Sequence, residues 1–250
     1  MPLAIERTYE CYILSQKSFV APVLDIGCGD GLFTQILFKD KIDVGIDPQS
    51  IEISHAQKLN CYEQLIQCYG NSVPFSDKHF KTILSNSVME HIEEIEPVLK
   101  EAHRVLADDG RVYLTLPTNK FDQYSVIFQF LKFLRLDQTA EKYGKFFNSF
   151  WRHYHYHTLA GWEQLFKKNG FVVEEKQEYL PKKNAVLNDL FSPFSLLSFI
   201  QKKFFNTWFL FPSFRKVFAS VYNGIYGSIA FQEKPEPNTG GLVFFQLKKA

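Results

Sequence analysis

Residues 23–31 read VLDIGCGDG, and Val23 to Ile26 form a short, mostly apolar run that stops at a cluster of glycines. A run of that length bounded by glycine reads as a buried strand. Gly27, Gly29 and Gly31 let the backbone turn sharply and approach a ligand with no Cβ in the way. Leu32, Phe33, Ile36 and Leu37 then recur at helical spacing. The stretch therefore predicts a strand, a glycine turn and a helix.

Working outward, Ile42–Ile46 reads as a second strand ending at Asp47-Pro48, followed by a polar helix over about 50–59. Leu65–Tyr69 and Thr82–Ser85 read as strands three and four. Ile95, Val98, Leu99, Ala102 and Leu106 mark an amphipathic helix. Asp109-Gly110 reads as a turn and Arg111–Leu116 as strand five. Thr158 is an N-cap for a helix that ends at Asn169-Gly170. Phe171–Glu178 and Leu242–Leu247 complete seven strands. Strands alternating with helices predict an α/β fold, a doubly wound, mainly parallel seven-stranded sheet.

In such a sheet, ligands bind at the carboxyl ends of the strands. Asp47 sits at the end of strand two, where a carboxylate accepts hydrogen bonds from ribose hydroxyls. Dinucleotide enzymes share this geometry, but their G-x-G-x-x-G spacing seats a pyrophosphate. Here the spacing is G-x-G-x-G, with Asp25 before the turn and Asp30 inside it. Carboxylates repel a pyrophosphate and suit a ligand bearing an amino group and a positive sulfonium. The charge favours S-adenosylmethionine.

The run VLDIGCGDG, then GIDPQS, VPFSDKHFKTILSNSVMEHI and PVLKEAHRVLADDGRVYLTLP, resembles the class I S-adenosylmethionine-dependent methyltransferase superfamily, in its ubiquinone-pathway-like subgroup. The resemblance covers roughly residues 20–117, with an echo in HTLAGWEQLFKKNGF. It implies that Gly27, Cys28 and Gly29 line the methionine part of the cofactor, and that Asp25 orients its amino group. It places Asp47 on the ribose, Pro48 near the adenine, Asn71 and Ser72 at the adenine edge, and Asn86 on the other side of the methionine. The family often carries an acidic residue just before the segment matching Val73-Pro74-Phe75, where this chain has Tyr69-Gly70-Asn71-Ser72.

Glu90-His91 follows strand four. His91 is a candidate general base for an acceptor hydroxyl, with packing at a helix start as the alternative. His153, His155 and His157 alternate with Tyr154 and Tyr156, which puts the histidines on one face of an extended segment. A metal site, polar tips lining an acceptor pocket, and a lead-in to the helix at Thr158 all suit that pattern; no metal is expected. The four cysteines show no CxxC pairing, so reduced thiols in a cytoplasmic protein are expected.

The chain of 250 residues fits a single methyltransferase domain over 1–250. Its core is about 20–117, 156–180 and 240–248. Aromatic-rich cap insertions, about 118–155 and 181–239, are expected at the ligand-binding edge. They read as a helical cap that buries its aromatics, or, through 186–230, as a surface for peripheral membrane contact, where lysines and arginines flank the apolar residues. No stretch reaches the roughly 18 uninterrupted apolar residues of a spanning helix. The net charge of +1 gives no field for nucleic acid. The expected partner is a small or lipid-like acceptor such as a quinone, glycolipid or polyprenyl-linked intermediate. A soluble metabolite and a non-catalytic cofactor-binding scaffold are the alternatives.

Overall fold

A computed structural model describes residues 4–190 and 235–250 of the chain. These residues divide into two compact units. The larger is Glu10–Asn119, Asn148–Gln177 and Leu242–Ala250; the smaller takes its described residues from Met1–Tyr9, Lys120–Phe147 and Glu178–Gly241.

In the larger unit, β1 (Val23–Ile26), β2 (Ile42–Asp47), β3 (Tyr62–Gln67), β4 (Phe80–Asn86), β5 (Leu106–Pro117), β6 (Phe171–Tyr179) and β7 (Leu242–Lys249) form one sheet. Their order is β3-β2-β1-β4-β5-β7-β6. Strand β1 pairs in parallel with β2 and β4, β2 with β3, and β4 with β5, whereas β7 runs antiparallel to β5. The first five strands therefore end at one edge. The order reverses at β1 and β4, the switch point where a crevice opens in sheets of this kind.

All four residues of β1 are buried, as a central strand covered on both faces requires. Helix α4 (Ile95–Val105) turns Ile95, Val98, Leu99, Ala102 and Val105 inward onto Leu24, Ile83 and Leu114 of the sheet. Burying each larger apolar side chain contributes roughly 1.5–3 kcal/mol. Helix α7 (Leu159–Lys168) starts where Thr158 Oγ1 accepts from the Gly161 amide at 3.1 Å. Its Trp162 and Phe166 are fully buried, and Trp162 Nε1 donates to the Pro117 carbonyl at 2.9 Å.

Four elements differ from expectation. Strand β3 begins at Tyr62 rather than Leu65, in register with Ile42, because this edge strand exposes Glu63 and Gln64 and so lacks an apolar run there. Strand β5 begins at Leu106 and includes Asp109-Gly110: it pairs at Phe80–Leu106, then resumes at Thr82–Arg111 after an irregularity. Helix α2 spans only Leu32–Leu37; Thr34 is its buried residue and Ile36 faces solvent. Helix α1 (Ala4–Leu14) was not anticipated, although Ile5, Tyr9 and Ile13 are buried at four-residue spacing. Helix α3 (Ser50–Leu59) lies as expected.

In the smaller unit, a 3-10 turn at Asp122–Tyr124 precedes α5 (Val126–Phe133) and then α6 (Asp137–Phe150), which runs on into the larger unit; residues 182–190 are also helical. Ser125 Oγ and Asp189 Oδ2 accept from the Phe128 and Val126 amides and cap α5. Phe128 is buried, but Phe130, Phe133 and Phe146 are exposed, so this insertion does not bury all its aromatics. The second aromatic run, Phe191 to Phe218 with Lys202, Lys203, Arg215 and Lys216, lies outside the described residues. Among the described residues, no helix is long and apolar enough to cross a membrane.

Candidate functional site

The turn after β1 is built from three left-handed glycines, with φ of 77° at Gly27, 52° at Gly29 and 76° at Gly31. Side-chain-bearing residues rarely adopt this conformation, which accounts for the spacing. The Gly27 and Cys28 amides both donate to the Ile46 carbonyl at 2.9 Å, locking the turn to β2. A Cβ on Gly27 would lie 2.5 Å from Val88, and one on Gly31 would press on Ala56 and Cys61. A Cβ on Gly29 would meet nothing within 4 Å, so its α-carbon faces open space.

Asp47 is buried at the end of β2. Its Oδ2 accepts from the Gly29 amide at 3.1 Å and its Oδ1 from the Gln49 amide at 2.8 Å. Pro48 follows, exposed, and its carbonyl accepts from Gln67 Nε2 of β3 at 3.2 Å.

Asp25 lies one strand over, 5 % exposed. Its Oδ2 accepts from Thr34 Oγ1 of α2 at 2.8 Å and from Tyr62 Oη of β3 at 2.7 Å. Burial pushes its carboxyl up to about 6; the Tyr62 and Thr34 hydrogen bonds oppose that rise and the nearby Asp47 charge adds to it. Burial and the Asp25 and Asp47 charges raise the Cys28 thiol, so it stays protonated. Tyr62 and Thr34 were not singled out in the sequence. A threonine between the apolar Phe33 and Ile36 of a short helix was the available signal for Thr34.

Asn86 ends β4 on the opposite flank. Its Nδ2 donates to Glu10 Oε2 at 2.8 Å, and its Oδ1 accepts from Thr115 Oγ1 at 2.8 Å. Ser87 Oγ donates to Glu10 Oε1 at 2.9 Å. Glu10, from α1, is fully buried and was also missed.

Asn71 and Ser72 sit in an exposed turn closed by the Ser72 amide on the Tyr69 carbonyl at 3.1 Å. The next segment is pinned to α4. Arg104 donates to both carboxylate oxygens of Glu101, to the Val73 and Phe75 carbonyls and to Asp77, while Glu101 accepts from the Val73 amide. The Arg104 contact holds the Glu101 carboxyl below its ordinary range.

His91 occupies a 3-10 turn, Met89–His91, after β4. Its Nδ1 lies 3.2 Å from the Arg152 carbonyl, and its ring centroid is 5.1 Å from that of His153. A carbonyl only accepts, so Nδ1 donates in this contact, and Nε2 lies 3.9 Å from Glu90 Oε1. The neighbouring Glu90 carbonyl accepts from the Tyr154 and His155 amides. Burial along 151–157 alternates, with the three histidines inward and Tyr154 and Tyr156 outward. Their contacts diverge: His153 faces His91 and Asn148, His155 Nε2 meets the Glu93 carbonyl, and His157 packs edge-on to Trp162. Among the described residues, no three His, Cys, Asp or Glu side chains are grouped to hold a metal ion.

A family model described as a methyltransferase domain matches residues 13–176. The Bacillus subtilis protein YrhH, named as a methyltransferase, is 30% identical over 118 residues, which are 44% of this chain and 65% of that protein. The mitochondrial ubiquinone biosynthesis O-methyltransferase of Mus musculus is 28% identical over 102 residues, 37% of this chain and 28% of the mouse enzyme. The chain thus spans only part of the length of the curated relatives it matches. A solved structure of a SAM-dependent methyltransferase from Thermotoga maritima shares the fold, with a TM-score of 0.58, 17% identity, and coverage of 100% of this chain and 91% of that one. With the family model spanning more than half of its length, this chain belongs to the methyltransferase domain family.

Proposed function

We propose that the protein is an S-adenosylmethionine-dependent methyltransferase acting on a small or lipophilic acceptor. The observation that carries this reading is the glycine turn: Gly29 opens its α-carbon to a ligand, with the Asp47 carboxylate beside it and the Asp25 carboxylate on the adjoining strand. Two anionic groups next to an open main chain fit a ligand that carries an ammonium, a sulfonium and a ribose. They do not fit a pyrophosphate.

S-adenosylmethionine supplies a methyl group already activated on sulfonium. The chain's own residues then have to bind and orient it. In this reading Gly27, Cys28 and Gly29 line the methionine portion through their backbone, and Asp25 takes its ammonium. Asp47 takes the ribose hydroxyls, Pro48 packs near the adenine, and Asn71 and Ser72 lie at its edge. Asn86, whose amide is held by Glu10 and Thr115, flanks the methionine. His91, in the turn after β4, is the candidate base for a hydroxyl acceptor. Aligning acceptor and methyl supplies on the order of 7–11 kcal/mol.

We assign acceptor choice to the two aromatic insertions of a single domain spanning 1–250. The named activity of the mouse relative, and the exposed Phe130 and Phe133 of α5, support a quinone-like or other lipophilic acceptor. A cytoplasmic protein touching membrane through 186–230 fits the same reading. Co-sedimentation with anionic liposomes tests that part: equal partitioning with and without residues 186–230 defeats it.

Calorimetry with S-adenosylmethionine tests the core of the proposal. The native chain should bind, and Asp47→Asn should bind at least tenfold more weakly. A native chain that does not bind leaves only the scaffold reading without cofactor. Binding without methyl transfer to quinols or catechols defeats the quinone-like acceptor and leaves another lipophilic acceptor, a soluble metabolite or a cofactor-binding scaffold.

A further inference from the structure

Gly45 sits in β2 between Asp25 of β1 and Leu65 of β3, in register with both. A Cβ there would lie 2.7 Å from the Tyr62 ring. The bare α-carbon lets the ring lie across β2, so that a hydroxyl rooted on β3 reaches a carboxylate on β1. Tyr62 Oη donates to Asp25 Oδ2 at 2.7 Å and lies 2.7 Å from Thr34 Oγ1, which itself contacts Oδ2 at 2.8 Å. Both hydroxyls therefore converge on a single oxygen. Oδ1 makes no hydrogen bond to any described residue.

We propose that Tyr62 and Thr34 are positioning residues for cofactor binding, clamping Oδ2 so that the Asp25 carboxylate stays ionised with Oδ1 turned to the ligand's ammonium. The inference rests on the reading of the turn as an S-adenosylmethionine site. It adds two residues and a mechanism that the glycine motif does not contain.

The clamp has electrostatic work to do. Asp25 is buried, so desolvation favours its neutral form, and Asp47 at the end of β2 adds like charge. The other titratable groups facing it are Cys28 in the turn, Cys61 ahead of β3 and Tyr62 itself, all of which stay neutral. Leu84 of β4, paired on the other side, is apolar. Among these neighbours, only the hydroxyls of Tyr62 and Thr34 favour the charged form, and a carboxylate binds an ammonium only when ionised. Removing one donor therefore raises the pH at which Asp25 becomes competent.

S-adenosylhomocysteine, which keeps the amino group, is the probe. Its dissociation constant is measured by calorimetry from pH 6 to 8.5 for the native chain, Tyr62→Phe and Thr34→Val. Circular dichroism checks that each variant is folded. Tyr62→Phe should bind about fivefold more weakly at pH 6.5 and about as tightly as native at pH 8.5, with Thr34→Val following in the same direction. A loss that is equal at every pH, or no loss in either folded variant, overturns the clamp. Absence of native binding at every pH instead defeats the cofactor reading itself, so the two failures are distinguishable.

Discussion

The Gly29 amide donates to Asp47 Oδ2 at 3.1 Å, which ties the turn after β1 to the end of β2. The two features that stand eighteen residues apart in the sequence are one hydrogen-bonded unit in the fold. The glycines of that unit do different things.

Gly27 and Gly29 should respond differently to alanine. Gly27→Ala combines a left-handed backbone with a Cβ 2.5 Å from Val88, so it should cost roughly 2–4 kcal/mol in urea unfolding. Gly29→Ala meets no neighbour and should cost only about 1 kcal/mol for its conformation. Its methyl would project into the open space, so S-adenosylmethionine affinity should drop at least tenfold. Unaltered affinity would mean that no ligand approaches there.

Glu10 joins Asn86 and Ser87 from within the core. Glu10→Ala leaves the Asn86 amide and the Ser87 hydroxyl without that acceptor and should destabilise the protein by about 2–3 kcal/mol. Glu10→Gln, which keeps one acceptor oxygen, should lose less. Denaturation curves of both variants superimposing on native would refute the role.

Asp25 should carry a stability cost. Its carboxyl is pushed from 3.8 to about 6 in the folded chain, so the native state binds the extra proton between those values. Stability is then fully present below about pH 4 and falls as pH rises through 6. Asp25→Asn, whose carbonyl can still accept from Tyr62 and Thr34, should be more stable than native at pH 8 by on the order of 2 kcal/mol. The gain should vanish near pH 4. A variant less stable at pH 8 would show that the charged form is not the strained one.

His153 should contribute acid lability. Burial and the neighbouring His91 hold it down to about 4, below the ordinary 6.5. The unfolded chain takes up this proton first as pH falls, so stability is lost between about 6.5 and 4. His153→Gln should flatten that interval by roughly 1–2 kcal/mol in melts at pH 4.5 and 7. Parallel pH profiles would exclude His153 as the source.

Much of the frame was legible because its signals are local. Val23–Ile26 ends in glycine, Thr158 caps α7, and Ile95, Val98, Leu99 and Ala102 face one way on α4. The histidines of 153–157 do share an inward face, as alternation requires. Edges were misread where packing overrides pattern. Tyr62–Gln64 pairs with β2 despite its polar residues, and Ile36 stays exposed while Thr34 turns in to meet Asp25.

By itself, the sequence determined the family, the strand-turn-helix unit and the positions of its glycines and carboxylates, because each of those rests on neighbours within one turn or one strand. Only the tertiary structure decided what the carboxylates touch. Thr34 and Tyr62 reach Asp25 from 9 and 37 residues away, and Asn86 reaches Glu10 from 76. Such partners meet only when separate elements pack, and a buried polar group must find one, since leaving it unpaired costs more than any local preference supplies. That requirement fixed the surroundings of the VLDIGCGDG turn.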